Sequence, residues 1–260
     1  MMTEKKWLKQ FGVLMLCFIL FAIGCGKEDS DVKETESVVA QSDIAETSVQ
    51  ERTIEDVLKD VEPTTVRLYH EKPSGGYIAG SGFIMEMTDS CLYLCTNRHV
   101  VSEYEDWTVY FYNGTEAQGK LVGVSNSYDV GVVAVDCTEI SKSLLETLAE
   151  ADIDLIAWNQ IGNEEVTIGL VRVGRKNELE NIITGVMLRK QIQFLWGNGE
   201  LETEIRMDIQ DGDSGSGIFD ENGRLLGMVF GISEDAGGKR YWAVPLDAVV
   251  QSYEDITGEK

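Results

Sequence analysis

A glycine-rich hexapeptide, Gly212-Asp213-Ser214-Gly215-Ser216-Gly217, is the feature of this 260-residue sequence that most restricts its fold. Three glycines in six residues permit a tight, exposed turn, because glycine adopts backbone conformations that other residues avoid. Ser214 lies near the centre of this turn. A serine hydroxyl is a weak nucleophile by itself and needs a neighbouring base, which in turn needs an orienting acid. The hexapeptide therefore directs attention to a histidine and an acidic residue elsewhere in the chain.

The base has few candidates, since the sequence contains only two histidines. His99 follows an apolar run, whereas His70 is interpreted as an ordinary surface histidine near a strand end. Asp129 opens another apolar run. The chain order His99, Asp129, Ser214 is the order of the chymotrypsin-type catalytic triad.

Further motifs extend this likeness. Gly-Ser-Gly-Phe-Ile occupies residues 80–84, Thr-Asn-Arg-His-Val-Val occupies residues 96–101, and Asp-Val-Gly-Val-Val begins at residue 129. Tyr-Trp-Ala-Val-Pro occupies residues 241–245. Together with Gly-Asp-Ser-Gly, these motifs resemble the trypsin-like serine peptidases and are most similar to the HtrA-like and V8-like bacterial branches. The resemblance covers residues 52–256, so we expect no PDZ domain after it.

The resemblance implies an all-β fold of two six-stranded antiparallel Greek-key barrels, with a short N-terminal helix and a C-terminal helix. The peptidase domain is expected over residues 52–260, with barrels at about 52–138 and 152–258. Short apolar runs at regular spacing, with turn residues between them, also favour an all-β barrel or sandwich.

The resemblance also implies a role for each triad member. Ser214 attacks the carbonyl of a peptide bond, His99 accepts and later returns the proton, and Asp129 orients the imidazole. The N–H groups of Gly212 and Ser214 form the oxyanion hole. This mechanism needs no metal and no organic cofactor, and the expected partner is a protein or peptide substrate. The alternative from another class is a catalytically silent surface-binding or sensor module on the same fold.

The sequence says less about the substrate pocket than about the triad. Asp208 lies six residues before the proposed nucleophile, the spacing at which trypsin-like enzymes place a carboxylate at the pocket floor. Phe230, Gly231 and Ile232 are expected to form the opposite wall. A carboxylate there favours Lys or Arg before the cleaved bond. HtrA-like chains, however, carry a structural aspartate slightly further upstream, and Arg206 is near enough in sequence to neutralise Asp208. Both a basic and a small or aliphatic preference therefore stay open.

Asp213 departs from the HtrA-like pattern, in which asparagine usually precedes the serine. Chymotrypsin-like zymogens pair the corresponding aspartate with a freed Ile-Val N-terminus, and no such N-terminus is visible in this sequence. A buried aspartate without a cation is costly. Either Asp213 finds a local donor, or the site is disordered until something docks.

Two other kinds of site fit less well. The α/β-hydrolase elbow needs Gly-x-Ser-x-Gly, and neither Ser214 nor Ser216 has glycine at both required positions. Cys91, Cys95 and His99 have the spacing of zinc ligands on a helix. The apolar residues between the cysteines favour a strand, which spreads the three side chains over about 26 Å. The sequence therefore predicts no metal site.

Secondary structure is predicted from periodicity and turn residues. Thr53 and Asp56 form a capping pair at the start of a short helix, and a second helix is predicted over residues 245–256. The predicted strands are residues 65–70, 80–86, 91–96, 107–112, 119–124 and 130–135 for the first barrel, and 155–158, 166–173, 181–189, 192–196, 217–219, 225–231 and 241–244 for the second.

Composition excludes some functions. The net charge is −23 and the isoelectric point is about 4.4, which argues against nucleic-acid binding, because that requires basic surfaces. Cys91, Cys95 and Cys137 lie in the barrel region, and an odd number of cysteines cannot all pair there. We expect three buried free thiols.

The N-terminal segment predicts an anchored protein. Residues 1–24 resemble a lipoprotein-type signal peptide, with lysines before an apolar run that is shorter than the roughly 20 residues needed to span a bilayer. Cys25 is the expected site of lipid attachment, and residues 25–51 are predicted to be an acidic flexible tether, since they have too little apolar surface to order themselves. The expected location is the outer face of the cell membrane. An uncleaved signal anchor and ordinary secretion are the alternatives.

Overall fold

Twelve β-strands form the framework of the computed structural model, which describes residues 52–174, 181–193, 200–235 and 238–258. The predicted signal peptide, the tether and Cys25 lie outside the described residues. The strands are β1 Thr65–Glu71, β2 Tyr77–Met87, β3 Cys91–Thr96, β4 Asp106–Phe111, β5 Glu116–Val124, β6 Gly131–Asp136, β7 Val166–Arg172, β8 Asn181–Gln193, β9 Leu201–Met207, β10 Gly217–Phe219, β11 Leu225–Asp235 and β12 Gly238–Pro245. The helices are α1 Ile54–Val61, α2 Arg98–Val101, α3 Lys142–Leu145, α4 Leu155–Gln160 and α5 Leu246–Thr257.

Strands β1 to β6 close into a first barrel in the order β1-β2-β3-β6-β5-β4, with every neighbouring pair antiparallel. Side chains alternate between the two faces of each strand, and Leu68, Ile84, Leu94 and Trp107 are buried together in the first core. Because β3 pairs with β6 in antiparallel orientation, the end of β3 lies beside the start of β6.

Strands β7 to β12 close into a second barrel in the order β10-β11-β12-β9-β8-β7, also antiparallel. Its core contains Ile168, Met187 and Phe219. Phe83 and Val132 of the first barrel belong to the same apolar cluster, so the two barrels pack directly on each other. The predicted fold of two six-stranded antiparallel barrels is confirmed.

The first and last helices, α1 and α5, both contact the barrels. The Thr53 hydroxyl accepts a 3.3 Å hydrogen bond from the Asp56 amide, which forms the predicted cap of α1. Leu58 of α1 packs so closely on β7 that a Cβ atom at Gly169 would lie 2.2 Å from its Cδ1. Helix α5 follows the second barrel, and its Ser252 hydroxyl bonds the Ser125 hydroxyl of the first barrel at 3.2 Å. None of the five described helices combines the length and apolar character that crossing a bilayer requires.

Three element predictions are wrong. Residues 155–158 form helix α4 rather than a strand, because the Asp154 carboxylate caps it by accepting from the Ala157 amide at 2.9 Å. Strand β9, Leu201–Met207, was not predicted. The predicted strands 181–189 and 192–196 are one strand, β8, as far as Gln193, and residues 194–196 lie outside the described part.

The three barrel-region cysteines are free thiols. Cys95 is fully buried, and burial raises the pKa of its thiol. Cys91 and Cys137 are only half-buried, so the expectation of three buried thiols is wrong for these two. Cys91 and Cys95 lie on strand β3, as the apolar residues between them predict, and not on a helix.

Candidate active site

His99 and Asp129 are in direct contact. The His99 Nδ1 atom lies 2.6 Å from Oδ2 of Asp129, and the His99 backbone N–H donates to Oδ1 at 2.9 Å. The carboxylate therefore holds both the ring and the backbone of the histidine. With the Nδ1 proton donated to Asp129, the Nε2 atom is left as a potential base.

The barrel topology explains how these residues meet across thirty positions of sequence. Strand β3 ends at Thr96, which pairs with Gly131 at the start of β6. His99 lies in the short helix α2 just after β3, and Asp129 lies just before β6. Buried Asn97 closes the junction, since its amide donates to the Asp129 carbonyl at 2.9 Å.

The Ser214 loop is held by both barrels. The Ser81 N–H of β2 donates to the Ser214 carbonyl at 2.8 Å, and the Ser81 hydroxyl donates to the Gly212 carbonyl at 2.8 Å. From the second barrel, the Val229 carbonyl of β11 accepts from the Gly215 N–H at 2.8 Å. The loop lies between β2 and β11 as a result.

Two glycines of the loop require the conformational freedom that the sequence suggested. Gly212 and Gly215 have φ angles of 95° and 92°, which residues with a Cβ atom rarely adopt. A Cβ atom at Gly215 would also lie 2.0 Å from the Ser81 carbonyl oxygen.

Gly80 brings the histidine and serine segments to one place. A Cβ atom on Gly80 would lie 2.7 Å from Cγ1 of Val100, the neighbour of His99, and 3.2 Å from the Ser214 carbonyl oxygen. The end of the β3–α2 segment and the Ser214 loop therefore meet over the same residue of β2.

Asp213 has a local donor that the sequence did not reveal. Its buried carboxylate accepts from Arg172 Nε at 2.8 Å and from Arg172 Nη2 at 2.7 Å. Of the two alternatives left open for Asp213, the structure has the local donor. No spacing rule identifies Arg172, which lies at the end of β7, 41 residues earlier in the chain.

The predicted pocket residues lie near the Ser214 loop in sequence but differ in exposure. Asp208 is exposed, and its carbonyl oxygen accepts from Arg172 Nη2 at 2.5 Å. The alternative in which Arg206 neutralises Asp208 is not found, since the ion pair of Arg206 among the described residues is with Glu165 at 3.4 Å. Phe230 lies in a bulge of β11, and Ile232 is 46% exposed.

A second carboxyl group, that of Glu202, is influenced by the negative charge of Asp129. Glu202 of β9 is buried, and its Oε2 atom has no hydrogen-bond partner among the described residues. Burial raises the pKa of Glu202 to about 8, and the negative charges of Glu200 and Asp129 act in the same direction. Sequence reasoning missed this residue because it depends on β9, which was not predicted.

The second histidine belongs to a different environment. The His70 Nδ1 atom lies 2.8 Å from the Asp106 carbonyl oxygen, and its ring stacks on Tyr104. In the part of the chain that the structure describes, no three acidic, histidine or cysteine side chains are grouped as metal ligands.

Comparison with known proteins decides the family. The profile of the family described as "Trypsin-like peptidase domain" matches residues 80–228, more than half of the chain. The chain belongs to this trypsin-like family. The resemblance expected from the motifs is therefore confirmed.

Curated relatives of the trypsin-like chain include DegP-like and HtrA-like proteins. The "Probable periplasmic serine endoprotease DegP-like" of Rhizobium meliloti (strain 1021) is 29% identical over 175 residues, covering 66% of this chain and 31% of the relative. The "Serine protease HtrA-like" of Staphylococcus aureus (strain USA300) is 26% identical, covering 68% and 23%. The chain thus spans a third or less of the length of these relatives.

Solved structures of the same fold include the HtrA-type protease AlgW with a decapeptide, with a TM-score of 0.63, 20% identity, and coverage of 80% of this chain and 68% of that one. The serine endoprotease from Yersinia pestis has a TM-score of 0.61, 20% identity and the same coverage. At this identity, the likeness of the trypsin-like chain to these structures concerns the fold alone.

Proposed function

We propose that this chain is a serine endopeptidase that cleaves peptide bonds through Ser214, His99 and Asp129. The observation that carries the proposal is the pair of hydrogen bonds between His99 and Asp129. One carboxylate oxygen bonds the imidazole ring, and the other accepts from the backbone N–H. In this mechanism His99 takes the Ser214 proton as the hydroxyl attacks, and then delivers it to the leaving amine. Asp129 holds the imidazole in the required tautomer and stabilises the imidazolium.

The oxyanion hole is assigned to the backbone N–H groups of Gly212 and Ser214. In the described part of the chain neither group donates to another protein atom, so both remain available to a substrate. One oxyanion donor typically contributes about 3 kcal/mol to lowering the barrier. The expected substrate is a protein or peptide, in keeping with the peptide that accompanies one structural neighbour of the same fold.

A fluorophosphonate probe tests the nucleophile. The full chain is expected to be labelled covalently, and Ser214→Ala is expected to remain unlabelled at equal protein concentration. Ser216→Ala is the matched control, since it removes a hydroxyl two residues away and is expected to label. A wild-type chain that binds peptides but neither labels nor cleaves would instead support the silent binding or sensor module.

We further propose that Cys25 carries a lipid and that residues 26–51 tether the peptidase domain at the outer face of the cell membrane. The lysines and apolar run before Cys25 support this assignment, and the periplasmic naming of the DegP-like relatives agrees with an extracytoplasmic location. Radiolabelled palmitate should be incorporated by the wild type and not by Cys25→Ser. A mature protein that retains its complete N-terminus would contradict the lipoprotein assignment.

A further inference from the structure

Arg172 forms a bidentate ion pair with the carboxylate of Asp213, the residue directly before the proposed nucleophile. Nε and Nη2 of the guanidinium donate to separate oxygens of the carboxylate at 2.8 and 2.7 Å. The Gln210 backbone N–H supplies a third hydrogen bond, to Oδ2 at 2.9 Å. The two charged side chains are only 13% and 3% exposed, so the pair is largely shielded from water.

The same guanidinium contacts the rest of the segment that leads to the nucleophile. Nη2 also donates to the Asp208 carbonyl at 2.5 Å. With its amide oxygen turned toward the guanidinium, Gln210 accepts from Nη1 at 3.1 Å and from Nε at 3.3 Å. One side chain at the end of a barrel strand therefore bonds three residues of this segment.

The segment is also the part of the chain that sets the oxyanion donors. Asp213 lies between Gly212 and Ser214, and its own N–H and carbonyl bond Gln210 and Ser216 at 3.1 and 2.9 Å. A carboxylate buried without its cation is strongly disfavoured, so without Arg172 the Asp213 carboxylate would either take up a proton or become exposed through a rearrangement of this turn. Such a rearrangement would move the two oxyanion N–H groups with it.

We propose that Arg172 is a positioning residue, whose ion pair with Asp213 holds the Gly212–Ser214 backbone in its catalytic conformation. The cation comes from the folded barrel, so the site assembles without a freed chain terminus and without a docking partner. This inference rests on the proposed peptidase function. The effect of Arg172 on the order of the loop can be measured whether or not the chain cleaves peptides.

A set of substitutions in the full chain separates positioning from stability. Arg172→Met removes the cation, and Arg172→Lys retains a charge with fewer donors. Arg172→Met combined with Asp213→Asn removes both charges, and asparagine needs no cation. The matched control is Arg224→Met, because Arg224 donates to buried Asp220 from Nε at 2.8 Å and from Nη2 at 2.6 Å on the β10–β11 hairpin.

The expected readouts differ between the two arginines. Arg172→Met should lower kcat about 100-fold or more, with KM changed less than about threefold, as for loss of an oxyanion donor. Arg172→Lys should fall between it and the wild type. Arg224→Met should lower Tm while its kcat stays near wild type. The double variant should recover at least about tenfold in kcat over Arg172→Met, because removing an unpaired buried charge relieves the main penalty.

Amide hydrogen exchange tests the loop independently of turnover. Residues 209–216 should exchange faster in Arg172→Met than in the wild type or Arg224→Met, and the double variant should restore protection. Unchanged exchange in Arg172→Met, or a double variant no more protected than the single one, would overturn the inference.

The inference can also be tested if Arg172→Met does not fold. In that case the double variant is compared with Asp213→Asn alone. A double variant that exchanges faster and turns over far more slowly than Asp213→Asn would overturn the inference. If fluorophosphonates do not label the wild-type chain, the peptidase proposal is contradicted. The exchange comparison would still decide the role of Arg172 in the loop.

Discussion

The Ser81 backbone N–H donates a 2.8 Å hydrogen bond to the Ser214 carbonyl. This bond joins strand β2 of the first barrel to a loop that belongs to the second barrel. Since the first barrel also carries His99 and Asp129, the proposed catalytic groups depend on how the barrels are joined. Changes at this junction should therefore affect activity and stability together.

Gly215→Ala tests that junction. The new Cβ atom would meet the Ser81 carbonyl oxygen at 2.0 Å, and the φ angle of 92° would be strained for alanine. Strain and overpacking together should lower the free energy of unfolding by roughly 3 kcal/mol or more. Denaturant unfolding measures this loss, and fluorophosphonate labelling should fall with it.

Gly114→Ala is the control for backbone strain alone. Gly114 has a φ angle of 75°, and a Cβ atom there would meet nothing within 4 Å. This variant should lose only about 1–2 kcal/mol and keep normal labelling. Equal losses in the two variants would show that the contact with Ser81 contributes nothing.

Asp129→Asn tests the orientation of His99. The asparagine side chain can still accept from the His99 backbone N–H, but its amide group does not favour the Nδ1–H tautomer. The value of kcat/KM is expected to fall by about 10⁴-fold with little change in fold. Peptide-substrate kinetics and circular dichroism measure these two effects. His70→Gln is the contrasting variant, since His70 contacts Asp106 and Tyr104 instead, and its activity should stay near wild type.

The contact between His99 and Asp129 could be predicted from the sequence, because motif and chain order carry that information locally. The sequence was also sufficient for most strands of the first barrel, where apolar runs and turns alternate regularly. At residues 155–158 the apolar side chains of Leu155, Ile156 and Trp158 favour a strand, whereas the cap from Asp154 determines a helix. Strand β9 does not show in the apolar pattern because its two glutamates interrupt it, and both are buried in the folded protein.

The interactions of Arg172 and Glu202 could not be predicted from the sequence, and the reason is the same for both. Arg172 lies 41 residues from Asp213, and the influence of Asp129 on Glu202 acts between different barrels. Both relationships exist only once strands far apart in the chain are brought together. Periodicity reports which face of a strand is buried and says nothing about which distant residue shares that space.

Glu202→Gln should change how stability depends on pH. The pKa of Glu202 is about 8 in the folded chain, compared with about 4.3 for an exposed glutamate. Between these values the unfolded chain releases the Glu202 proton while the folded chain retains it, so stability falls as pH rises. Glutamine does not ionise and removes this contribution.

The melting temperatures of wild type and Glu202→Gln should therefore be close at pH 4 and separate as pH rises toward 8, with the variant higher by roughly 5 °C or more. Above pH 8 the difference should stay constant. Glu204→Gln does not serve as the control, because Glu204 is paired with Arg189. Exposed Glu234→Gln is suitable, and its melting temperature should follow the wild type at every pH. Curves for Glu202→Gln that remain parallel to the wild type would show that Glu202 is ionised normally.

Asp208 provides the last prediction, which concerns substrate preference. Arg206 is paired with Glu165, and Arg172 contacts the Asp208 carbonyl oxygen. No described ion pair engages the Asp208 carboxylate, which therefore remains able to attract a basic side chain at the residue before the cleaved bond. Asp208 is exposed in the free chain, and a charge pair that a bound peptide shields from water is stronger than one in bulk water.

In a positional-scanning peptide library, the wild type is expected to prefer Arg or Lys at that residue. Asp208→Ala should lower kcat/KM for those peptides by about tenfold or more, which corresponds to losing a partly shielded charge pair, and leave Ala and Val peptides unchanged. Asp211→Ala is the matched control, because Asp211 is also exposed and lies between Asp208 and Ser214. If both variants reduce Arg cleavage equally, the effect is that of net charge near the site. A preference for Val or Ala that Asp208→Ala does not alter would show that the pocket is apolar and that Asp208, like the upstream aspartate of HtrA-like chains, has a structural role.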